Sequence, residues 1–344
     1  MGITFAGCFL GAGYVSGQEL WQYFGTYGKA GFTGLLLAII LLVAVTVIIM
    51  HIAIAGGKES MDEVISPFDS APVKGFFGWA GVFMFFSIGA IMTAGIGGLA
   101  VSLLGIPAWP GCFIVSVLAA FVAFFGLNGM IAVFSLSVPF LIVTAAVICI
   151  ARICGMNVSG ISFSEISENR MLGPWPFAAV NYMAFNIYGS IALLSPLAKR
   201  VKGGLKGIAV GISAGGVSLF VIAFLILVAL SGTRSAVGEE LPMLEIAKMI
   251  SPAAAWIYGV LIFLAMFGIS QSSMVAVVSH LEFKGIVSGR NKVITVAVLG
   301  FLNFLASLLG FSNLIGYAYP VFGYIGSISV ILLIINDIKI RRSH

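Results

Sequence analysis

Residues 5–21 read FAGCFLGAGYVSGQELW, an apolar segment interrupted in its middle by glycines and polar side chains. Gly11 and Gly13 fit an unwound turn, because glycine adopts backbone angles that other residues avoid. Breaking a helix inside a bilayer frees backbone groups, and each costs several kcal/mol unless protein, water or a ligand satisfies it. The segment therefore predicts a discontinuous first span with a binding site beside the break.

The polar part of this segment has the spacing of a capping box. In that arrangement Ser16 accepts from the amide of Glu19, and the Glu19 side chain returns to the amide of Ser16. A second half-helix is then expected near Gly17, with free amides that favour an anionic group such as a carboxylate. Close packing of small residues four apart is the alternative. A cap at mid-span favours the break, since a continuous helix needs none.

Glu19 is also the only acidic residue within a predicted span. An ionisable side chain inside the membrane is a functional candidate, here for carrying a coupling proton or attracting an amine. Closing the capping box is its alternative role.

Composition places the whole chain in a bilayer. Of 344 residues, 60% are hydrophobic and 8% are charged, with a mean hydropathy of +1.16, whereas soluble domains carry about 25% charge. We therefore expect one integral membrane domain over residues 1–344, without nucleic-acid partners. No HExxH, Walker-type or GxSxG motif is present, so we expect neither an enzyme, nor ATP-driven transport, nor a cofactor.

Ten apolar stretches are long enough to cross a bilayer. They lie near 3–25, 31–55, 74–104, 108–126, 129–152, 174–198, 205–231, 252–281, 291–310 and 313–336. With the N-terminus inside, twelve Lys and Arg residues fall in inner segments and five in outer ones. This asymmetry predicts that both termini are cytoplasmic, that loops 56–73, 199–204 and 283–290 are inside, and that loops 155–172 and 232–250 are outside.

Two short segments indicate internal symmetry. Residues 59–67 and 244–252 both look like amphipathic helices ending in Ile-Ser-Pro, and they lie five spans apart. An odd number of spans gives two halves of opposite topology, here about 1–155 and 172–337. A chance match of two short windows is the alternative.

Two further spans have polar centres. Residues 186–190 of span 6 either unwind or bond to neighbouring helices. Span 8 contains four consecutive polar side chains at 270–273. Hydroxyls there, with carbonyls freed in span 1, suit a small cation, whereas serines bonding their own helix are the alternative.

The motif GAGYVSGQE at residues 11–19, in a chain of this length and span count, resembles the bacterial YkvI-like membrane proteins. These are similar to the amino acid–polyamine–organocation superfamily. The resemblance implies the leucine-transporter fold, an all-α integral membrane architecture of ten transmembrane helices in two inverted five-helix repeats, with helices 1 and 6 discontinuous.

The same resemblance implies a substrate site between spans 1, 3, 6 and 8. The matching residues are Gly11, Ala12, Gly13, Tyr14, Ser16, Gln18, Glu19, Thr93, Asn186, Tyr188 and Ser190. It also implies a sodium site formed by carbonyls near Gly7 and Leu10 and by hydroxyls of Ser272 and Ser273. Gln271 stands where a hydroxyl residue is expected, which makes Ser270 an alternative ligand. Some relatives replace sodium with a lysine in span 5, and residues 129–152 contain none.

Together these features predict a secondary active transporter of a small amino acid or related amine. It would work by alternating access, with sodium coupling, in the bacterial cytoplasmic membrane. The alternative is a ligand-sensing subunit of the germinant-receptor type, which shares the fold without established transport. A channel is disfavoured, because broken helices face a central site.

Overall fold

The computed structural model describes residues 2–57, 61–67, 70–125, 130–156, 169, 171–197 and 204–343. Within these ranges every regular element is a helix and there is no strand. The predicted all-α fold class is therefore confirmed.

The first segment is broken, as its sequence predicts. It consists of α1 (Gly2–Phe9), α2 (Ala12–Val15) and α3 (Gln18–Tyr23), followed by a 3-10 turn at Gly25–Tyr27. Gly11 is extended between α1 and α2. Gly17 lies between α2 and α3 with φ 82°, a conformation that favours glycine. Two short interruptions therefore divide one apolar segment into three helices.

The other helices are longer, apart from two short ones at α5 and α11. They are α4 (Lys29–Ala55), α5 (Met61–Ile65), α6 (Ala71–Leu104), α7 (Ala108–Phe125), α8 (Met130–Cys154), α9 (Trp175–Leu197), α10 (Gly204–Ser231), α11 (Pro242–Ile250), α12 (Pro252–Phe283), α13 (Arg290–Ser307) and α14 (Phe311–Ser343).

Five of these helices are long and apolar enough to cross a bilayer on their described residues alone. They are α4, α6, α10, α12 and α14. Three shorter apolar helices cover Ala108–Phe124, Pro139–Cys154 and Asn291–Ser307. A multi-pass membrane protein follows from these helices, and ten spans remains a prediction.

Packing brings the broken segment into the centre of the bundle. The most extensive contacts join α6 to α12, and α9 to both α4 and α14, while α1 lies on α10. Small residues allow the close crossings. A β-carbon at Gly215 would lie 2.5 Å from the Gly2 carbonyl oxygen, and one at Gly326 would lie 2.2 Å from the Ala184 carbonyl oxygen.

Span 6 departs from the expectation. Helix α9 is continuous through residues 186–190, so the predicted discontinuity of helix 6 is wrong. Its polar side chains bond their own helix. The Asn186 amide donates to the Tyr182 carbonyl oxygen (2.9 Å), and the Ser190 hydroxyl donates to that of Ile187 (3.1 Å). Backbone bonding of this kind leaves the helix intact.

The described loops lie at two ends of the bundle, and which end is cytoplasmic stays a prediction. At one end, Asn336 near the end of α14 donates to the Val64 carbonyl oxygen (2.7 Å), and Met61, Lys74 and Lys284 line one cavity. At the other end, Ser312 meets Glu240 in loop 232–250. Loop 199–204, apart from residue 204, and most of loop 155–172 lie outside the described residues.

The predicted orientation can be tested by cysteine labelling. Lys284→Cys and Glu239→Cys lie at opposite ends, both exposed, and are made after the four native cysteines are replaced by Ala. We expect an impermeant maleimide added to intact cells to label position 239 and not position 284. Labelling of position 284 alone would show that the chain has the opposite orientation.

Candidate functional site

The Glu19 carboxyl is buried within the broken segment. It lies in the first turn of α3 with 5% of its surface exposed. A β-carbon added to Gly13 would stand 2.8 Å from Glu19 Oε2 and 3.4 Å from the Tyr319 hydroxyl. The carboxyl group therefore packs directly over the α-carbon of Gly13, and a side chain at this position would require the carboxyl to shift.

Tyrosines surround this carboxyl. Tyr14, Tyr23, Tyr182 and Tyr319 are buried, and each interacts electrostatically with Glu19. The Tyr182 hydroxyl is directed at the carboxyl, but it forms no hydrogen bond of standard length and angle within the described residues.

Neighbouring helices fix the tyrosine rings. The Tyr14 hydroxyl donates to the Leu219 carbonyl oxygen of α10 (2.7 Å), and the Tyr23 hydroxyl donates to Asn181 Oδ1 of α9 (3.0 Å). Tyr319 of α14 stacks on Phe185 with ring centroids 4.1 Å apart. Elements α2, α3, α9 and α14 thus each contribute an aromatic wall to the Glu19 site.

Among the residues that the structure describes, Glu19 has no cationic partner. In the described ranges no Lys, Arg or His forms an ion pair with Glu19. A buried charge without a partner is costly. Among the described residues, therefore, no opposite charge compensates the Glu19 carboxyl, and a proton or a cationic group would do so.

The end of α2 satisfies its carbonyls through other elements. The Ser16 hydroxyl donates to the Gly13 carbonyl oxygen (2.7 Å), Tyr258 of α12 donates to that of Val15 (2.5 Å), and the Met243 amide donates to that of Ser16 (3.0 Å). Because the Gly11 amide bonds to Phe9 (2.8 Å), the Gly7 carbonyl lacks its regular helical donor. The carbonyls at the second break thus accept hydrogen bonds from other parts of the protein. The first break leaves the Gly7 carbonyl without its helical hydrogen bond.

The Tyr258 bond should contribute measurably to stability. We expect Tyr258→Phe to lower the free energy of unfolding by about 1–3 kcal/mol, because it leaves the buried Val15 carbonyl without a donor. The measurement is chemical or thermal unfolding in detergent. Tyr317→Phe, on an exposed ring, is the matched control, and equal losses in the two variants would contradict this role.

The predicted capping box does not form in the way that the spacing implies. Ser16 Oγ accepts from the Gln18 amide (3.3 Å), not from that of Glu19. The left-handed Gly17 is the residue that precedes α3, so the helix begins one residue later than the spacing implies. Glu19 is consequently the second residue of α3 and not the third, which is the position that a capping box requires. Its carboxyl can therefore pack over Gly13.

Thr93 belongs to a second polar cluster, which does not include Glu19. The Thr93 hydroxyl lies 3.0 Å from Ser270 Oγ and donates to Asn303 Oδ1 (3.0 Å), which also accepts from Ser116 (3.2 Å). Gln271 is fully buried, and both amide atoms lack partners in the described structure. Helices α6, α7, α12 and α13 therefore share an oxygen-rich cluster that is separate from the tyrosine-lined site.

Other predicted residues occupy varied positions. Gly11 and Ala12 lie at the break, Gly11 with Ile269 of α12 3.9 Å from where its β-carbon would stand. The Tyr188 hydroxyl donates to Phe77 of α6 (2.7 Å), away from Glu19. Of the predicted sodium ligands, Gly7 and Ser272 are exposed and Leu10 is buried. Ser273 packs beside Gly89 of α6.

Polar contacts tie α3 to the N-terminal end of α14. Gln18 Nε2 donates to Ser312 Oγ (2.5 Å), and Gln22 Nε2 donates to the Ser312 carbonyl oxygen (2.9 Å). The Ser312 amide donates to Glu240 Oε2 (2.9 Å). Glu240 also lines a cavity of about 470 Å³ at this end of the bundle, together with Glu245 and Lys248. We name this cavity the acidic vestibule.

Sequence reasoning missed Tyr23, Tyr319 and Asn303 as members of these clusters. Tyrosines in apolar spans look like ordinary core residues, although Tyr319 directly precedes Pro320, which interrupts the backbone bonding of α14. Asn303 gave the clearest available signal, a carboxamide in an otherwise apolar span.

The comparisons with known proteins agree with this membrane architecture. No protein-family model matches the chain. It is similar to the uncharacterized membrane protein YkvI of Bacillus subtilis (strain 168), with 25% identity over 354 residues that cover 100% of this chain and 97% of the relative. It is also similar to the uncharacterized protein YyaD of the same strain, at 25% over 348 residues covering 96% and 94%. The resemblance to YkvI-like proteins is confirmed and extends along the chain.

Proposed function

We propose that this chain is a secondary transporter of a small amine or amino acid and that Glu19 receives the ammonium group. The observation that carries the proposal is the buried Glu19 carboxyl in a broken membrane helix, which has no cationic partner among the described residues. A carboxylate that lacks an internal counter-charge favours a cationic ligand or a transferable proton. An amine supplies both an opposite charge and N–H donors for the surrounding oxygens.

The groups around Glu19 suit a small ligand with an apolar portion. The Tyr182 hydroxyl offers a further polar contact, and the aromatic rings around Glu19 are groups of the kind that attracts an ammonium. The site is buried in this structure, and the acidic vestibule lies at one end of the bundle. Alternating access would open the site through the Gln18–Ser312 and Gln22–Ser312 contacts.

The fold expectation supports the same mechanism. Short helix α5 contacts α4, α6 and α9, and short helix α11 contacts α10, α12 and, through Met243, the broken segment. The two short helices thus have corresponding neighbours, and this correspondence supports the proposal of two inverted five-helix repeats.

A thermal-stability screen tests the proposal. Purified chain in detergent is heated with each of a panel of amines, amino acids and matching carboxylic acids without an amine. A ligand that binds only the folded chain raises the melting temperature by mass action. We expect amines or amino acids to stabilise it and the carboxylic acids to have no effect. Stabilisation by the acids alone would reject Glu19 as the receiving group.

Sodium coupling is proposed on the Gly7 carbonyl and on Ser272 and Ser273. If either hydroxyl binds sodium, Ser272→Ala or Ser273→Ala should weaken sodium-dependent stabilisation and leave the fold intact. Ser279→Ala, at an exposed hydroxyl farther along α12, is the matched control. A parent protein whose melting temperature never depends on sodium, even with substrate present, would reject the site.

A further inference from the structure

A second cavity, of about 750 Å³, lies at the end of the bundle opposite the acidic vestibule. It is formed where the start of α6 meets the end of α12, beside α5. Its basic lining residues are Lys74, His280 and Lys284, and its apolar walls include Phe77, Phe85 and Phe283. Among the described residues that line it, none is acidic. The described lining thus combines basic side chains with apolar walls.

His280 lines this cavity and has a ring nitrogen without a hydrogen-bond partner among the described residues. Its Nε2 is buried and has no hydrogen-bond partner in the described structure. The ring packs against Gly78, where an added β-carbon would lie 3.5 Å from His280 Cε1. Together with the Lys284 ammonium on the same lining, this nitrogen offers a place for an anionic group.

The surroundings place the cavity at the membrane surface. Phe283 has 85% of its surface exposed, and the half-exposed Trp79 ring meets His280 with centroids 5.9 Å apart. Exposed tryptophan beside lysines is typical of the depth of lipid headgroups. Basic pockets between membrane helices bind anionic headgroups.

We propose that this cavity binds one anionic phospholipid. Its phosphate would lie beside His280 and Lys284, and an acyl chain would lie along the phenylalanine walls. The exposed aromatic rim favours a lipid over a free phosphate, because it gives the ligand a route from the bilayer. The inference is independent of the transport proposal.

Binding is measured on purified full-length chain in detergent, by native mass spectrometry and melting temperature. The probes are phosphatidylglycerol, phosphatidylcholine with the same acyl chains, glycerophosphoglycerol and inorganic phosphate. We expect phosphatidylglycerol to bind at least tenfold more tightly than phosphatidylcholine. We expect glycerophosphoglycerol and phosphate to have no effect at matched concentration. Equal binding of the two lipids, or full stabilisation by either soluble anion, would overturn the proposal.

Two variants locate the site. Lys284→Gln should weaken phosphatidylglycerol binding about fivefold, the factor for one lysine at a membrane surface. The matched control is Lys292→Gln, at the same end, whose ammonium pairs with Glu282 (2.8 Å) outside the cavity. Ala276→Leu fills the cavity without changing charge and should weaken binding while phosphatidylcholine binding stays unchanged. Equal losses in Lys284→Gln and Lys292→Gln, or no loss in Ala276→Leu, would reject the cavity as the site.

Discussion

Glu19→Gln is expected to reduce amine-induced stabilisation and transport by tenfold or more. Gln has nearly the same size, so it keeps the packing over Gly13. It removes the negative charge and cannot carry a proton. Loss of even a modest ion pair, roughly 1.4 kcal/mol, corresponds to a tenfold change in affinity. The measurements are ligand-dependent melting temperature and uptake into proteoliposomes.

The matched control for this prediction is Glu282→Gln. Glu282 is 38% exposed and pairs with Lys292 at the end of α12, far along the helix from Tyr258. It should leave binding and uptake unchanged. If Glu19→Gln also leaves both unchanged while Glu19→Ala unfolds the chain, Glu19 has a structural role and the coupling group must be sought in α12.

Gly13→Ala is expected to destabilise the protein and to abolish ligand binding. Alanine normally favours a helix over glycine by about 0.5–1 kcal/mol, so a loss of stability here has a local cause. The added methyl would lie 2.8 Å from Glu19 Oε2, and the buried tyrosines leave the carboxyl little space to retreat. Overpacking of this kind costs about 1–3 kcal/mol.

Gly11→Ala is the matched control in the same segment. Its φ of −86° suits any residue, and the nearest atom to its β-carbon is 3.9 Å away. We expect it to melt within a few degrees of the parent. The double variant Gly13→Ala with Glu19→Ala should recover part of the lost stability, because the clash disappears. Equal effects of Gly11→Ala and Gly13→Ala would show that the carboxyl does not occupy this position.

The break was predictable from sequence, because glycines and polar residues inside an apolar run have a physical cost in lipid that a continuous helix avoids. Its internal geometry was not. Only the conformation of Gly17 determines that α3 starts at Gln18 and that Ser16 does not cap through Glu19. A single left-handed residue shifts the register, and spacing alone does not show it.

Helix α9 shows a feature that the sequence left undecided. Asn186 and Ser190 suit either an unwound turn or bonds to their own backbone, and tertiary packing decides between them. The aromatic neighbours of Glu19 could not be predicted from the sequence for a related reason. Tyr23 and Tyr319 lie almost 300 residues apart in the sequence, and only the packing of α3 and α9 with α14 brings them to one carboxyl.

The most direct test of the central claim is counterflow in proteoliposomes that contain this chain as the single protein. Vesicles are loaded with the amine or amino acid that best stabilises the parent protein, and exchange of external labelled solute is followed. We predict saturable exchange by the parent and at least a tenfold loss in Glu19→Gln. Stabilisation by the solute without any exchange would contradict transport and favour a sensing subunit.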